Sequence, residues 1–507
     1  MARERRFSSL EDMAERSLRS RRAPEKPSCQ SAEDAYRAAL ERAGVTSKWK
    51  IKEHLFHARH AREEWEMFLE DHPDCQSLID LGRDFARTCA KYDTRDPDRI
   101  TYSAEAVLCV VFLAGLCGCR NCQEYALFWL AHNPLLQCLF DMPEPCFMIS
   151  DEEIRIILRM VPSDAFEDFF RRRFAEFRKA DPELSRDTAE EGGFMRTIGG
   201  DGQELRASYR RGESSRHKKG MQGVTLYDCD SRTVKDYTTV QKKNQEVDAF
   251  TKMLERVGLE NGQVVFYADA LNTRAPLVDF LNKRGIDWLF PVKNNGGNKE
   301  LREGIEKAFE EHKGEAAAMS EAGKTGGRVE ERTYSFLPAS VLHGGQAFEG
   351  SGTIVMVDKR TEFPRNGSGD RKLRRAEHSR ICCISSLPYS DGNNRQIKHS
   401  LSVRWLYEQH HNTIDEVLLQ DRQALCDENH LSTVIGLNKC LYNVLTFARA
   451  KLSAEGMRMT KFRSGETKRR ARLLSYKATT DLLADDMLLA VECVLEYFSA
   501  EPEAGNA

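Results

Sequence analysis

No stretch of the 507-residue chain stays apolar long enough to cross a bilayer. The longest such run, Val107 to Leu116, falls well short of the about 20 residues a spanning helix needs and reads as a buried helix. Near the N-terminus no apolar stretch follows Arg3, Arg5 and Arg6, and Glu4, Glu11, Asp12 and Glu15 argue against an organelle transit peptide, so a cytoplasmic location is expected. Charge of one sign is lacking too: 76 Lys and Arg stand against 79 Asp and Glu, net -3, so only local clusters argue for or against a polyanionic partner. The 15 cysteines are an odd number without a secretory signal, which argues against a disulfide scaffold. Cys117, Cys119 and Cys122 have no second CxxC or HxxxH pair at finger spacing and lie in an apolar helical stretch, so buried thiols are the favoured reading over zinc. Gly323-Lys324-Thr325 has Ala318 where a phosphate loop needs glycine, and His410-His411 lacks the HExxH spacing of a zinc protease.

What is present divides the chain by period. Residues 1–32, rich in Arg, Ser and Glu, read as a disordered arm; 33–98 and 99–190 follow helical periodicity, with Ser150 and Ser163 placed to cap helices. Near Phe194 the period shifts to strands, and residues 191–313 read as three strands, a helix, then alternating strand and helix. That is the order of a ribonuclease-H-like α/β core. Residues 314–391 are Gly-rich and strand-like, a β-rich insertion; 392–455 complete the core with a helix running from Arg395; 456–507 hold a basic segment and a C-terminal helix.

Residues 264–293 carry the sharpest signal: an apolar strand stops at Asp269, a helical pattern follows, and a second apolar run closes on Lys293. An acid at a strand end sits where α/β sheets bind ligands and metals. Asp201, after MRTIGGD, is expected to end a neighbouring strand, and two such acids can share hard divalent cations. In the later helix Arg404, Glu408, His411 and Asp415 fall on one face, so Glu408 is the candidate third ligand.

These motifs resemble the DDE transposases of bacterial insertion sequences, in particular the H-repeat-associated group. The group's D-G-K-x-x-R-x-S is similar to Asp201-Gly202-Gln203-Glu204-Leu205-Arg206-Ala207-Ser208, its K-S-N-E-I to Lys243-Asn244-Gln245-Glu246-Val247, and its D-A to Asp269-Ala270. Its V-K-x-N resembles Val292-Lys293-Asn294-Asn295, its G-R-I-E-x-R resembles Gly327 to Arg332, and its H-W-x-I-E-N resembles Arg404 to Gln409. The likeness covers roughly residues 85 to 450. Three departures stand out: Gln203 replaces a lysine, Gly199 and Gly200 occupy a usually apolar strand, and Glu408 to Asp415 is one residue shorter than the group's spacing.

The resemblance implies a two-metal nuclease and strand-transferase acting on its element's inverted repeats, with Asp201, Asp269 and Glu408 catalytic and holding two Mg2+ ions, or Mn2+ in their place. Arg404 would neutralise a phosphate oxygen. Double-stranded DNA is the expected partner, bound by Arg206, Arg210, Arg211, Arg216, Lys218, Lys219, Lys243, Lys293, Arg404, Lys468, Arg469 and Arg470, with 99–190 a candidate DNA-binding domain. A homodimer or higher assembly on DNA and association with the bacterial nucleoid are expected. The alternatives are a catalytically inactive, transposase-derived DNA-binding protein and a metal-dependent nuclease without strand transfer.

Overall fold

The computed structural model describes residues 66–72, 76–96, 100–140, 149–176, 193–205, 221–240, 245–259, 264–294, 296–325, 328–343, 347–362, 376–422, 427–454, 459–461, 470–472 and 474–499, with a few isolated positions besides. The arm expected over residues 1–32 lies outside them. Among the described residues the chain forms thirteen α-helices and a nine-stranded mixed sheet, an α/β fold.

The first described elements are five helices: α1 (Gln76–Cys89), α2 (Ala104–Leu116), α3 (Cys122–Phe140), α4 (Asp151–Met160) and α5 (Ser163–Glu176). Helix α2 is apolar all round and buried along almost its whole length, so it can only be the centre of a helical layer. Ser150 caps α4 by accepting the Glu153 N–H at 3.0 Å, satisfying an orphan donor of the first turn. Ser163 differs from expectation. It is the first residue of α5, and its N–H donates to Asn429 Oδ1 at 3.3 Å.

The sheet begins with β1 (Arg196–Glu204), β2 (Gln222–Asp228) and β3 (Thr233–Val240) as an antiparallel run. Then α6 (Glu246–Val257), β4 (Val264–Ala268), α7 (Ala275–Arg284), β5 (Asp287–Val292) and α8 (Lys299–Glu311) alternate. Strand β4 lies parallel to β1 on one side and to β5 on the other. The Gly-rich stretch supplies β6 (Ala317–Thr325), β7 (Arg328–Pro338), β8 (Thr353–Glu362) and β9 (Ala376–Ser385), and β9 pairs antiparallel with β5, Leu289 opposite Ser385. The strands read as an insertion therefore extend the same sheet, in the order β3-β2-β1-β4-β5-β9-β8-β7-β6.

Strand alternation sorts the core. Along β4, Val264, Phe266 and Ala268 pack with α6, α7 and α8, whereas Val265 and Tyr267 face the other way. That second face is covered by α9 (Asp391–Val403), α10 (Trp405–Glu416), α11 (Glu428–Ala454) and the helical layer. The helix expected to run on from Arg395 breaks at Arg404, where the Tyr407 N–H turns back to the Arg404 carbonyl in a tighter i to i−3 bond. The chain ends in β10 (Met459–Lys461), β11 (Arg470–Arg472), α12 (Tyr476–Asp485) and α13 (Met487–Ser499). Among the described residues no helix is long and apolar enough to cross a membrane.

Candidate active site

Strand β1 does not stop at Asp201, as the residue pattern suggested, but continues to Glu204, because Asp201 to Glu204 still pair with Thr225 to Gln222 of β2. Its parallel partner β4 is the shorter one. The last pair across these strands is Gly200 with Ala268, so Asp201 and Asp269 are the next residues on neighbouring strands, whose backbones run about 4.8 Å apart. The Asp201 carboxylate accepts the N–H of Gly202 at 2.8 Å. That of Asp269 accepts the N–H of Ala270 at 2.6 Å, capping the short turn over Ala270–Asn272, and takes the Lys293 ammonium from the end of β5 at 3.1 Å.

The two glycines before Asp201 have opposite jobs. A methyl group on Gly200 would stand 2.8 Å from both Phe250 and Phe266, on the face covered by α6. One on Gly199 would meet the Tyr407 ring of α10 at 3.1 Å on the other face. Glycine lets aromatic rings press on β1 from both sides, the close approach that a glycine inside a strand signals.

On the Gly199 face, α10 carries the remaining candidates. The Arg404 guanidinium lies 5.5 Å from the centre of the Tyr267 ring and bonds Glu408 at 3.4 Å. Tyr407, buried, donates its hydroxyl toward the carbonyls of Asp201 and Thr225, at 3.3 and 3.2 Å. Burial raises the Tyr267 phenol; Arg404 opposes this, and the charges of Asp269 and Glu408 add to it, so both acids act on one ring. Deeper in, Gln203 donates to Asp415 at 2.5 Å and accepts from Gln420 at 3.5 Å. Lys439 of α11 lies 3.2 Å from His410, and burial brings its ammonium down to about 8 against the pull of Asp415 and Asp201.

The strand register thus puts Asp201 and Asp269 at one end of the β1–β4 pair, and Glu408 is linked to them through Arg404 and the Tyr267 ring. Hard carboxylate oxygens suit a hard divalent cation. Among the described residues, however, no three His, Cys, Asp or Glu side chains stand close enough together to hold a metal ion. Lys293 and Arg404 lie at the acids instead, at Asp269 and Glu408.

The other expected contacts divide differently. Arg206, Arg210, Arg211, Arg216, Lys218, Lys219, Lys243, Lys468 and Arg469 lie outside the described residues, and Arg470 opens β11. Two further basic residues are engaged with acids: Lys451 meets Glu492 and Glu496 at 2.5 and 2.6 Å, and Arg172 holds Asp84 at 3.2 Å. Cys117 donates its thiol to the Leu483 carbonyl at 3.1 Å, and burial raises it strongly. Residue reasoning missed Tyr407, Lys439 and the contact between Gln203 and Asp415. The glycine doublet before Asp201 was the available signal for the first; the other two join segments remote in sequence.

A sheet carrying paired acids beside a helix-borne Arg and Glu defines a class that comparison identifies. Residues 193–444 match the transposase DDE domain, and the chain belongs to the DDE transposase family. It is similar to the H repeat-associated putative transposase YbfD of Escherichia coli (strain K12), 23% identical over 251 residues, covering 48% of this chain and 88% of that protein.

Proposed function

We propose that this protein is a metal-dependent DNA transposase that cleaves the inverted-repeat ends of an insertion sequence and joins them to target DNA. The observation that carries the reading is the β1–β4 register, which sets Asp201 beside Asp269 under the helix that bears Glu408. The strand order β3-β2-β1-β4-β5, with β2 antiparallel to its neighbours, supports a ribonuclease-H-like core. In this reading Asp201, Asp269 and Glu408, which do not stand at metal-binding distance of one another here, would close on two Mg2+ ions, Mn2+ serving as well. When bound, such a pair supplies an activated water or 3′-hydroxyl and a stabilised leaving oxygen. The chain's own cations do the rest. Lys293, more than half exposed, and Arg404, held over Tyr267, turn from carboxylates to the phosphates of the scissile segment as DNA arrives. Double-stranded DNA is the substrate, and a dimer or larger assembly brings two ends together near the nucleoid.

The test is a duplex carrying the flanking inverted repeats, incubated with purified protein and Mg2+ or Mn2+. Cleavage and end-joining are expected from the wild type and neither from Asp269→Asn. Equal products from both proteins, or none from either, would overturn the reading. Retained DNA binding without cleavage would then indicate the inactive DNA-binding alternative, and cleavage without joining a simple nuclease.

A further inference from the structure

Helix α10 reaches the sheet only after the chain has passed through β6 to β9 and α9, so its placement over Asp201 needs its own anchors. Besides ring packing on Tyr227 of β2, two hydrogen-bonded tethers reach β1. Near the start of α10, the Tyr407 ring fills the space above Gly199, and its hydroxyl donates toward the Asp201 and Thr225 carbonyls at 3.3 and 3.2 Å. Near its end, Asp415 accepts the Gln203 amide at 2.5 Å. Glu408 lies between them. The β1 residues used, Asp201 and Gln203, begin at the first acid itself, so the tethers gauge the separation of the strand acid from the helix acid.

We propose that Tyr407 and Gln203 are positioning residues that clamp the Glu408 helix to the Asp201 strand and so set how far the two acids must move to close on a divalent cation. The inference rests on the transposase reading for its purpose and on the tethers for its geometry. The hydroxyl of Tyr407 is a donor held in a buried site between two backbone carbonyls. The amide of Gln203 is a neutral donor to a carboxylate. A lysine there would make the same contact with a full positive charge and keep the clamp; an alanine would release it.

The experiment compares wild type with Gln203→Ala, Gln203→Lys and Tyr407→Phe in two readouts. The first is amide hydrogen exchange of the metal-free protein across Tyr407 to Asp415, with α6 as the internal control. The second is the Mg2+ concentration giving half-maximal cleavage, with DNA affinity measured in parallel. Faster exchange confined to α10 is expected in Gln203→Ala and Tyr407→Phe, with the half-maximal Mg2+ concentration raised about tenfold and DNA affinity held, the usual scale for residues that orient metal ligands. Gln203→Lys should restore both values. Unchanged α10 exchange in Gln203→Ala and Tyr407→Phe overturns the clamp. Faster exchange with an unchanged Mg2+ requirement overturns the positioning role, leaving only a structural contact. A wild type that never cleaves defeats the transposase reading, and the exchange data then decide the clamp alone. A Gln203→Ala protein that fails to fold leaves Tyr407→Phe, which keeps its ring, to decide the question.

Discussion

The two faces of β1 are built on opposite principles, and the adjacent glycines make the contrast exact to one residue. Against Gly200 stand the rings of Phe250 and Phe266, both fully buried, in a dry packing of α6 on the sheet. Against Gly199 stands Tyr407, and around it are Asp201, Gln203, Asp415, His410 and Lys439, joined by hydrogen bonds and charge. Dispersion and apolar burial hold most of the first face, its charged exceptions being Glu246 over Gly202 and the Arg256–Asp236 pair at 2.9 Å. Directional bonds and buried histidines mark the second, which therefore responds more strongly to protons. A reactive site belongs on the face whose order can be tuned.

The strongest way to break this contrast is acid. Burial, with the Lys439 charge adding to it, lowers His411 from its ordinary 6.5 to about 3, and His410 is driven far below the same value. A neutral buried histidine stabilises the fold fully above 6.5. As pH falls from there toward 3 the unfolded chain takes up protons that the folded chain refuses, and stability drops, each unit of separation being worth about 1.4 kcal/mol. Hydrogen exchange stepped from pH 7 to pH 4.5 should therefore show α10 losing protection before α6; loss in the reverse order would contradict the division.

Next in size is the pair Gly200→Ala and Gly199→Ala. The first forces a methyl between two rings with no free volume and should cost about 1–3 kcal/mol in urea denaturation. The second presses only on a helix held by hydrogen bonds. It should cost less than about 1 kcal/mol, the worth of a weakened bond, and show instead as altered α10 exchange. Equal costs would erase the contrast. Smallest is Lys293→Ala. Its bond to Asp269 is exposed enough that stability should change by less than about 1 kcal/mol. DNA binding should weaken at all sequences, and its salt slope should fall by about one. An unchanged slope would remove Lys293 from the phosphate contacts.

Much of this was legible in local patterns. The strand ending near Asp269, the helix after it, the cap at Ser150 and the Arg404–Glu408 contact all follow from periods of two and 3.6 and from short-range chemistry. The end of β1 was misplaced at Asp201, since the doublet Gly199-Gly200 and the polar residues after it carry no apolar alternation. Pairing with β2, not residue preference, extends the strand. The break at Arg404 was likewise hidden, because no proline or glycine marks it.

The sequence by itself determined which residue types are available for chemistry and which stretches form strands and helices, because those depend on neighbours a few positions away. Only the tertiary structure decided that Gly200 lies opposite Ala268, that β9 docks on β5 to continue the sheet, and that Gln203 meets Asp415 across 212 positions. Those outcomes depend on the path of the whole chain, where register and burial are chosen by every packed element at once.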